Sequence, residues 1–205
     1  MPIHQQLLLL LLLLPEIFIT ATTTTTDSDF IRSSCMKTTY PDLCYTSLSI
    51  YSNVIKQNPA ALARVSIAVS LFRTLRMARH ATNLSRSADY ESDHRLSAAI
   101  HDCVSVYGDA VDQIRDSLRK MKKIVMMNRE LGDATLRLEL NDVQTWMSAA
   151  LTNEDTCIDG FEDVEDGEMK LDVCYRTIKV KEVTSNALAL VNSYADKVLP
   201  VPPFP

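Results

Sequence analysis

The sequence predicts an all-α fold, an up-down-up-down four-helix bundle preceded by a disulfide-clipped N-terminal helical hairpin. Three observations predict it. Apolar residues recur at helical spacing through four long segments. Glycine is scarce: Gly108, Gly132, Gly160 and Gly167 are the only ones in 205 residues. A hairpin-rich β protein needs more residues able to adopt positive φ. Two of the five cysteines, Cys35 and Cys44, lie close together ahead of the long segments and can clip a short hairpin.

Residues 1–26 read as a secretory leader. Leu7 to Leu14 form an unbroken leucine run, interrupted by Pro15 and Glu16 and briefly resumed by Ile17, Phe18 and Ile19. The run is shorter than the about 20 apolar residues that span a bilayer, and it has the length of a signal-peptide core. Its front end departs from the usual pattern, because residues 1–6 hold His4 but no Lys or Arg. Cleavage is expected between Ala21 and Thr26. The remaining chain, 27–205, is then one secreted domain with no membrane segment. Asn83-Leu84-Ser85 is an N-glycosylation acceptor, which places Asn83 on the surface.

Residues 27–57 form the hairpin, broken at Pro41. The bundle occupies 58–198. Its first helix is expected from Pro59, suited to a first turn, to Leu84, with Leu62, Val65, Val69, Phe72 and Leu75 or Arg76 facing inward. The second, from Ser92 to Met127, carries Leu96, Ile100, Cys103, Tyr107, Val111, Ile114, Leu118, Met121 and Val125 at steps of four and three. The third, Asp133 to Gly160, carries Leu136, Leu140, Val143, Met147, Ala150 and Cys157 inward, with Trp146 beside the stripe as core. The fourth, Asp172 to Val198, buries Val180, Val183, Ala187, Leu190 and Tyr194. Pro200, Pro202 and Pro203 end it, leaving 199–205 as a Pro-rich tail.

Five cysteines leave one unpaired or intermolecular. Cys35 and Cys44 are the local pair, and closing that loop stabilises by about 2.7 kcal/mol. Cys103 and Cys157 sit on inward stripes of two helices and can meet; that longer loop gives about 4.2 kcal/mol. Cys103–Cys174 is the competing connectivity, since sequence alone does not fix pairing.

Several function classes find no support. The chain carries a net charge of -5, and no Lys/Arg-rich block suggests nucleic-acid binding. The largest sequence-local basic cluster is Arg115, Arg119, Lys120, Lys122 and Lys123, read as a solvated helix face. No Gly-rich phosphate loop and no CxxC is present, so neither cofactor nor metal is expected. His94 and His101 share a helix face, and His80 stands alone; none has a catalytic partner at a convincing spacing. Eight carboxylates crowd the stretch from Glu154 to Glu168 without a Lys or Arg. That stretch is read as a solvated loop or an acidic patch able to steer a basic partner. No catalytic residue is assigned, and binding another protein is the expected function.

Four blocks give that binding a direction. Phe30-Ile31-Arg32-Ser33-Ser34-Cys35 with Thr39-Tyr40-Pro41-Asp42-Leu43-Cys44, then Asp102-Cys103 with Tyr107-Gly108-Asp109-Ala110-Val111-Asp112, then Val143 to Thr152 leading into Asp155-Thr156-Cys157-Ile158-Asp159-Gly160-Phe161, and finally Thr184-Ser185-Asn186-Ala187-Leu188-Ala189-Leu190 resemble the plant pectin methylesterase and invertase inhibitor family. The resemblance implies bridges Cys35–Cys44 and Cys103–Cys157, with Cys174 a buried free thiol. It implies a secreted, apoplastic inhibitor that covers the substrate cleft of pectin methylesterase in a one-to-one complex. Acid invertase is the alternative partner, although the Pro-Lys-Phe motif of the family's invertase inhibitors is missing. The family's interface Thr matches Thr156; Asp159 and Asn153, on the same helix end, are the further partner-binding candidates. The Lys120–Asn128 segment carries no family signature.

Overall fold

In the structure, a computed structural model, residues 26–86, 93–127 and 132–199 are described. The predicted leader, apart from Thr26, and the tail from Pro200 lie outside the described residues, as do Ser92 and Asn128.

The hairpin comprises α1 (Asp27–Cys35), α2 (Pro41–Leu48), a 3-10 turn (Ser49–Tyr51) and α3 (Ser52–Ile55). Thr26 caps α1: its hydroxyl accepts from the Asp29 N–H at 3.1 Å, and the Asp29 carboxylate accepts from the Thr26 N–H at 3.2 Å. This reciprocal capping box makes Thr26 part of the folded domain. Pro41 opens α2 from a first-turn position, where its missing N–H costs nothing. Lys56 and Gln57, at φ 46° and 55°, turn the chain left-handed into the bundle. Non-glycine residues resist that conformation, and Gln57 is held there as its amide donates to Asp27 at 3.1 Å.

The four long helices are α4 (Pro59–Leu84), α5 (His94–Met127), α6 (Asp133–Asp159) and α7 (Glu168–Val198). Each packs on the long helix next to it in the chain, and α7 closes the square against α4, as short connections dictate. Helix α7 begins at Glu168, four residues before the expected Asp172, because Gly167 in extended conformation serves as its N-cap.

The hairpin lies on the bundle. Ile31, Cys35, Cys44, Leu48 and Ile55 pack with Leu62 and Val65 of α4 and Leu190 of α7. Asn186 of α7 clamps it in place, accepting from the Tyr40 N–H at 3.1 Å and donating to the Tyr40 carbonyl at 2.9 Å. Cys35 is bridged to Cys44, and Cys103 to Cys157 across α5 and α6.

The interior departs from the expected stripe on α4. Phe72 is 57% exposed and Arg76 is exposed. In their place Ser66, Ser70 and Thr74 face inward. The reason is Glu154, which sits wholly buried on α6 rather than in the acidic loop. Its Oε1 accepts from the Thr184 hydroxyl at 2.8 Å and from Thr74 at 3.2 Å; Thr184 in turn meets Ser70 at 2.9 Å. This polar layer separates two apolar clusters. One holds Ile67, Ile114, Met121, Leu140, Met147 and Val191; the other holds Met77, Ile100, Cys103, Tyr107, Cys157 and Phe161. Buried hydroxyls on α4 and α7 are what a buried carboxyl requires. Burial pushes the Glu154 carboxyl up to about 8, against the pull of the Thr184 and Thr74 hydrogen bonds. Burial likewise pushes the Tyr107 phenol up, and the nearby Glu154 adds to it.

Candidate partner-binding surface

Helix α6 turns a narrow stripe outward. Asn141, Thr145, Ser148, Thr152, Thr156 and Asp159 are all exposed, at steps of four and three that keep them on one helix face. The side chains are short, and all but Asp159 are uncharged. Short side chains lose little rotamer freedom when a partner covers them. Thr156 donates its hydroxyl to the Thr152 carbonyl at 2.9 Å, and Thr152 does the same to Ser148 at 3.2 Å. Both methyl groups are thereby fixed in orientation.

Two of the three sequence-assigned residues, Thr156 and Asp159, lie on this stripe. Asn153 does not: it is half-buried at the α5 seam, where its amide donates to Gln113 Oε1 at 3.0 Å. Its visible role is to tie α6 to α5 about one turn before Thr156. The Cys103–Cys157 bridge, with Cα atoms 4.6 Å apart, braces the same helix end. The expected interface is therefore a rigid helix end and not a loop.

Charges flank the stripe in satisfied pairs. Lys120 of α5 reaches both Glu139, at 2.7 Å, and Asp142 of α6. Lys123 adds a bond to Glu139 at 2.9 Å. Hydrogen bonds to the Asp142 and Glu139 carboxylates hold the Lys120 ammonium above its ordinary range. Those from Lys120 and Lys123 hold Glu139 below its own. Arg115 pairs with Asp112, and Arg119 with Asp116. Thus the basic cluster seen in the sequence is largely neutralised. Trp146 is half-buried at this seam, not core, and Lys120 lies 5.3 Å from its ring centre.

The acidic stretch is a short, anchored connection. Phe161 and Val164 are buried beneath it, and Lys170 donates to the Val164 carbonyl at 2.6 Å. Glu162, Asp163, Glu165, Asp166 and Glu168 point outward. Cys174 is a free thiol, half-buried rather than buried; burial pushes its pKa up, which lowers its reactivity. Among the described residues no His, Cys, Asp and Glu group could hold a metal, and no helix is long and apolar enough to cross a membrane. His94 and His101 are exposed. Asn83 is exposed near the end of α4.

A feature with no local sequence signature lies on the opposite side of the bundle. An open groove of about 520 Å³ runs between α4 and α7, lined by Arg73, Arg76, Arg79, His80, Arg176 and Lys179 among others.

Residues 29–190 match the family described as plant invertase/pectin methylesterase inhibitor. The chain is 41% identical to a "21 kDa protein" of Daucus carota over 171 residues, covering 83% of this chain and 86% of that protein. It is 38% identical to Pectinesterase inhibitor 9 of Arabidopsis thaliana over 82% of this chain and 81% of the relative. Pectinesterase inhibitor 10 of the same plant is also 38% identical, but the match spans only 51% of that longer protein. A crystal structure of a pectin methylesterase inhibitor from Arabidopsis thaliana superposes with a TM-score of 0.55 at 20% identity, over 86% of this chain and 99% of that one. That likeness concerns the fold.

Proposed function

The chain belongs to the plant invertase/pectin methylesterase inhibitor family, and from that premise we propose that it is an inhibitor of pectin methylesterase. The observation that carries this reading is the match to proteins named pectinesterase inhibitors, at 38% identity over most of the folded domain. The missing Pro-Lys-Phe motif weighs against invertase as the partner.

The inhibitor acts by occupying surface, not by chemistry. It docks in a one-to-one complex over the enzyme's substrate cleft, using the outward stripe of α6. Thr156 stands at the centre of the contact, Asp159 at its edge, and Asn153 holds the helix end in register through Gln113. Rigidity favours this use, because a preorganised helix face loses little freedom on binding. The leucine-rich leader supports secretion into the cell wall, where pectin methylesterase works.

Purified, oxidised protein mixed with a plant pectin methylesterase and, separately, with an acid invertase tests the reading. Loss of methylesterase activity at equimolar inhibitor, with invertase untouched, is the expected result. Inhibition of invertase alone would overturn it.

A further inference from the structure

We propose that the groove between α4 and α7 binds an acidic polysaccharide, a chain of galacturonate residues, independently of the enzyme-docking stripe. The groove lies on the face of the square opposite α5 and α6. The hairpin covers the other half of this face, seated over Val69, Val183 and Asn186, and the groove opens beyond it.

Its charge is unbalanced. Arg176 is paired with Asp172 at 2.7 Å, and Lys179 with Glu182 at 2.9 Å. His80 shares Asp172, also at 2.7 Å. Arg73, Arg76 and Arg79, all exposed, have no carboxylate partner among the described residues. They follow one another at three-residue steps, so their Cα atoms span about 9 Å along α4. Three guanidinium groups in a row suit carboxylates repeated along a polymer better than one small anion.

Two exposed aromatic rings accompany them. Tyr175, 63% exposed, lines the groove beneath Lys179, whose Nζ is 5.9 Å from the ring centre. The Arg76 guanidinium lies 5.9 Å from the centre of the Phe72 ring, itself 57% exposed. An aromatic face offers the C–H side of a sugar ring an apolar seat that a lipid headgroup or phosphate would not use. The chain's net charge of -5 makes a nucleic acid, with its denser charge, the poorer match. The choice of galacturonate rests on the pectin methylesterase reading: hydrolysis of each pectin methyl ester by water leaves one carboxylate on the polymer and releases methanol and a proton. An inhibitor that holds this product would be retained where de-esterification has already occurred.

The test measures binding of the full chain, expressed without N-glycans because Asn83 borders the groove, to polygalacturonate and to fully methyl-esterified pectin. Polygalacturonate should bind, esterified pectin should not, and added salt should weaken the complex. The combined variant Arg73→Gln, Arg76→Gln and Arg79→Gln should lose affinity about tenfold or more, while still inhibiting pectin methylesterase. Tyr175→Ala should weaken binding about threefold or more. Should the triple variant melt early, Arg79→Glu alone serves in its place. No binding, unchanged binding in the arginine variants, equal binding to DNA or heparin, or preference for anionic vesicles would each overturn the proposal. Methylesterase inhibition intact without polygalacturonate binding defeats the groove alone; polygalacturonate binding without inhibition defeats the enzyme reading alone.

Discussion

The two broad faces of the bundle both carry charges and use them differently. On the α5–α6 face, Lys120, Lys123, Arg115 and Arg119 each meet a carboxylate of the same chain. Lys122 and Arg137 stay exposed without an ion pair among the described residues, and beside them lies an open strip of short polar side chains. On the α4–α7 face, three arginines stand without a carboxylate partner among the described residues, beside two exposed aromatic rings. A face whose charges are internally satisfied can be covered by a large partner without stranding an ion. A face whose cations are unsatisfied invites a counterion from outside. The two proposed modes of recognition, docking of an enzyme and capture of a polyanion, follow from this difference.

The largest expected effect comes from removing the brace that only one face has. The Cys103–Cys157 bridge joins α5 to α6, and no disulfide joins α4 to α7. Replacing both cysteines by Ala should cost about 4 kcal/mol of stability, read from denaturant unfolding. Inhibition should fall more than polygalacturonate binding; equal losses would mean that the faces are not mechanically distinct.

Next is the polar layer that lies between the faces. Glu154 is protonated in the fold up to about pH 8, whereas in the unfolded chain it ionises near 4.5. Its folded pKa is raised, so the stability it contributes is complete below pH 4.5 and is lost as pH climbs through 8. The loss should amount to roughly a few kcal/mol across that window. Thermal melts from pH 5 to 8.5 should show it, and Glu154→Gln should flatten the curve. A parent protein with the same melting temperature at both ends would show that Glu154 is not the titrating group.

A third prediction addresses the stripe alone. Thr156→Trp should weaken methylesterase inhibition by about 30-fold, as expected of a central contact, with the melting temperature unchanged. Unchanged inhibition would move the working surface elsewhere. The smallest effect belongs to the satisfied pairs: Asp142→Asn should change stability by about 0.5 kcal/mol or less, because exposed ion pairs contribute little. A loss several times larger would show that the Lys120 network stiffens the seam.

The sequence reading and the structure part company at definable places. The inward stripes of α5, α6 and α7 were mostly legible because most core positions there are apolar and follow the helical period, although Leu96, Leu118 and Val125 are only half-buried, Ser117 and Ile124 face the core beside them, and Thr177 and Thr184 join the stripe of α7. The stripe of α4 was not, because Ser70 and Thr74 face the core and Phe72 faces water. Their burial answers to Glu154, eighty residues away in the chain. Glu154 itself reads as the first member of an acidic run, yet the rotation of about 100° per residue turns it into the core while its neighbour Asp155 stays half-buried and pairs with Lys181 of α7. Trp146 and Arg76 were misplaced for a similar reason: each borders the apolar stripe, and the neighbouring helix decides on which side it falls.

Local spacing alone determined that this is a helical chain with a clipped hairpin, where its long helices lie, and that Thr156 and Asp159 share one face. Periodicity and capping act within a few residues, so the sequence displays them. Only the tertiary structure decided that the hairpin seats on α4 and α7, that a carboxyl is buried at the centre, and that a basic groove exists at all. Arg73, Arg76 and Arg79 lie about a hundred residues from Arg176 and Lys179, too far apart to read as one cluster. The closing of the helical square brings them within reach of a single ligand.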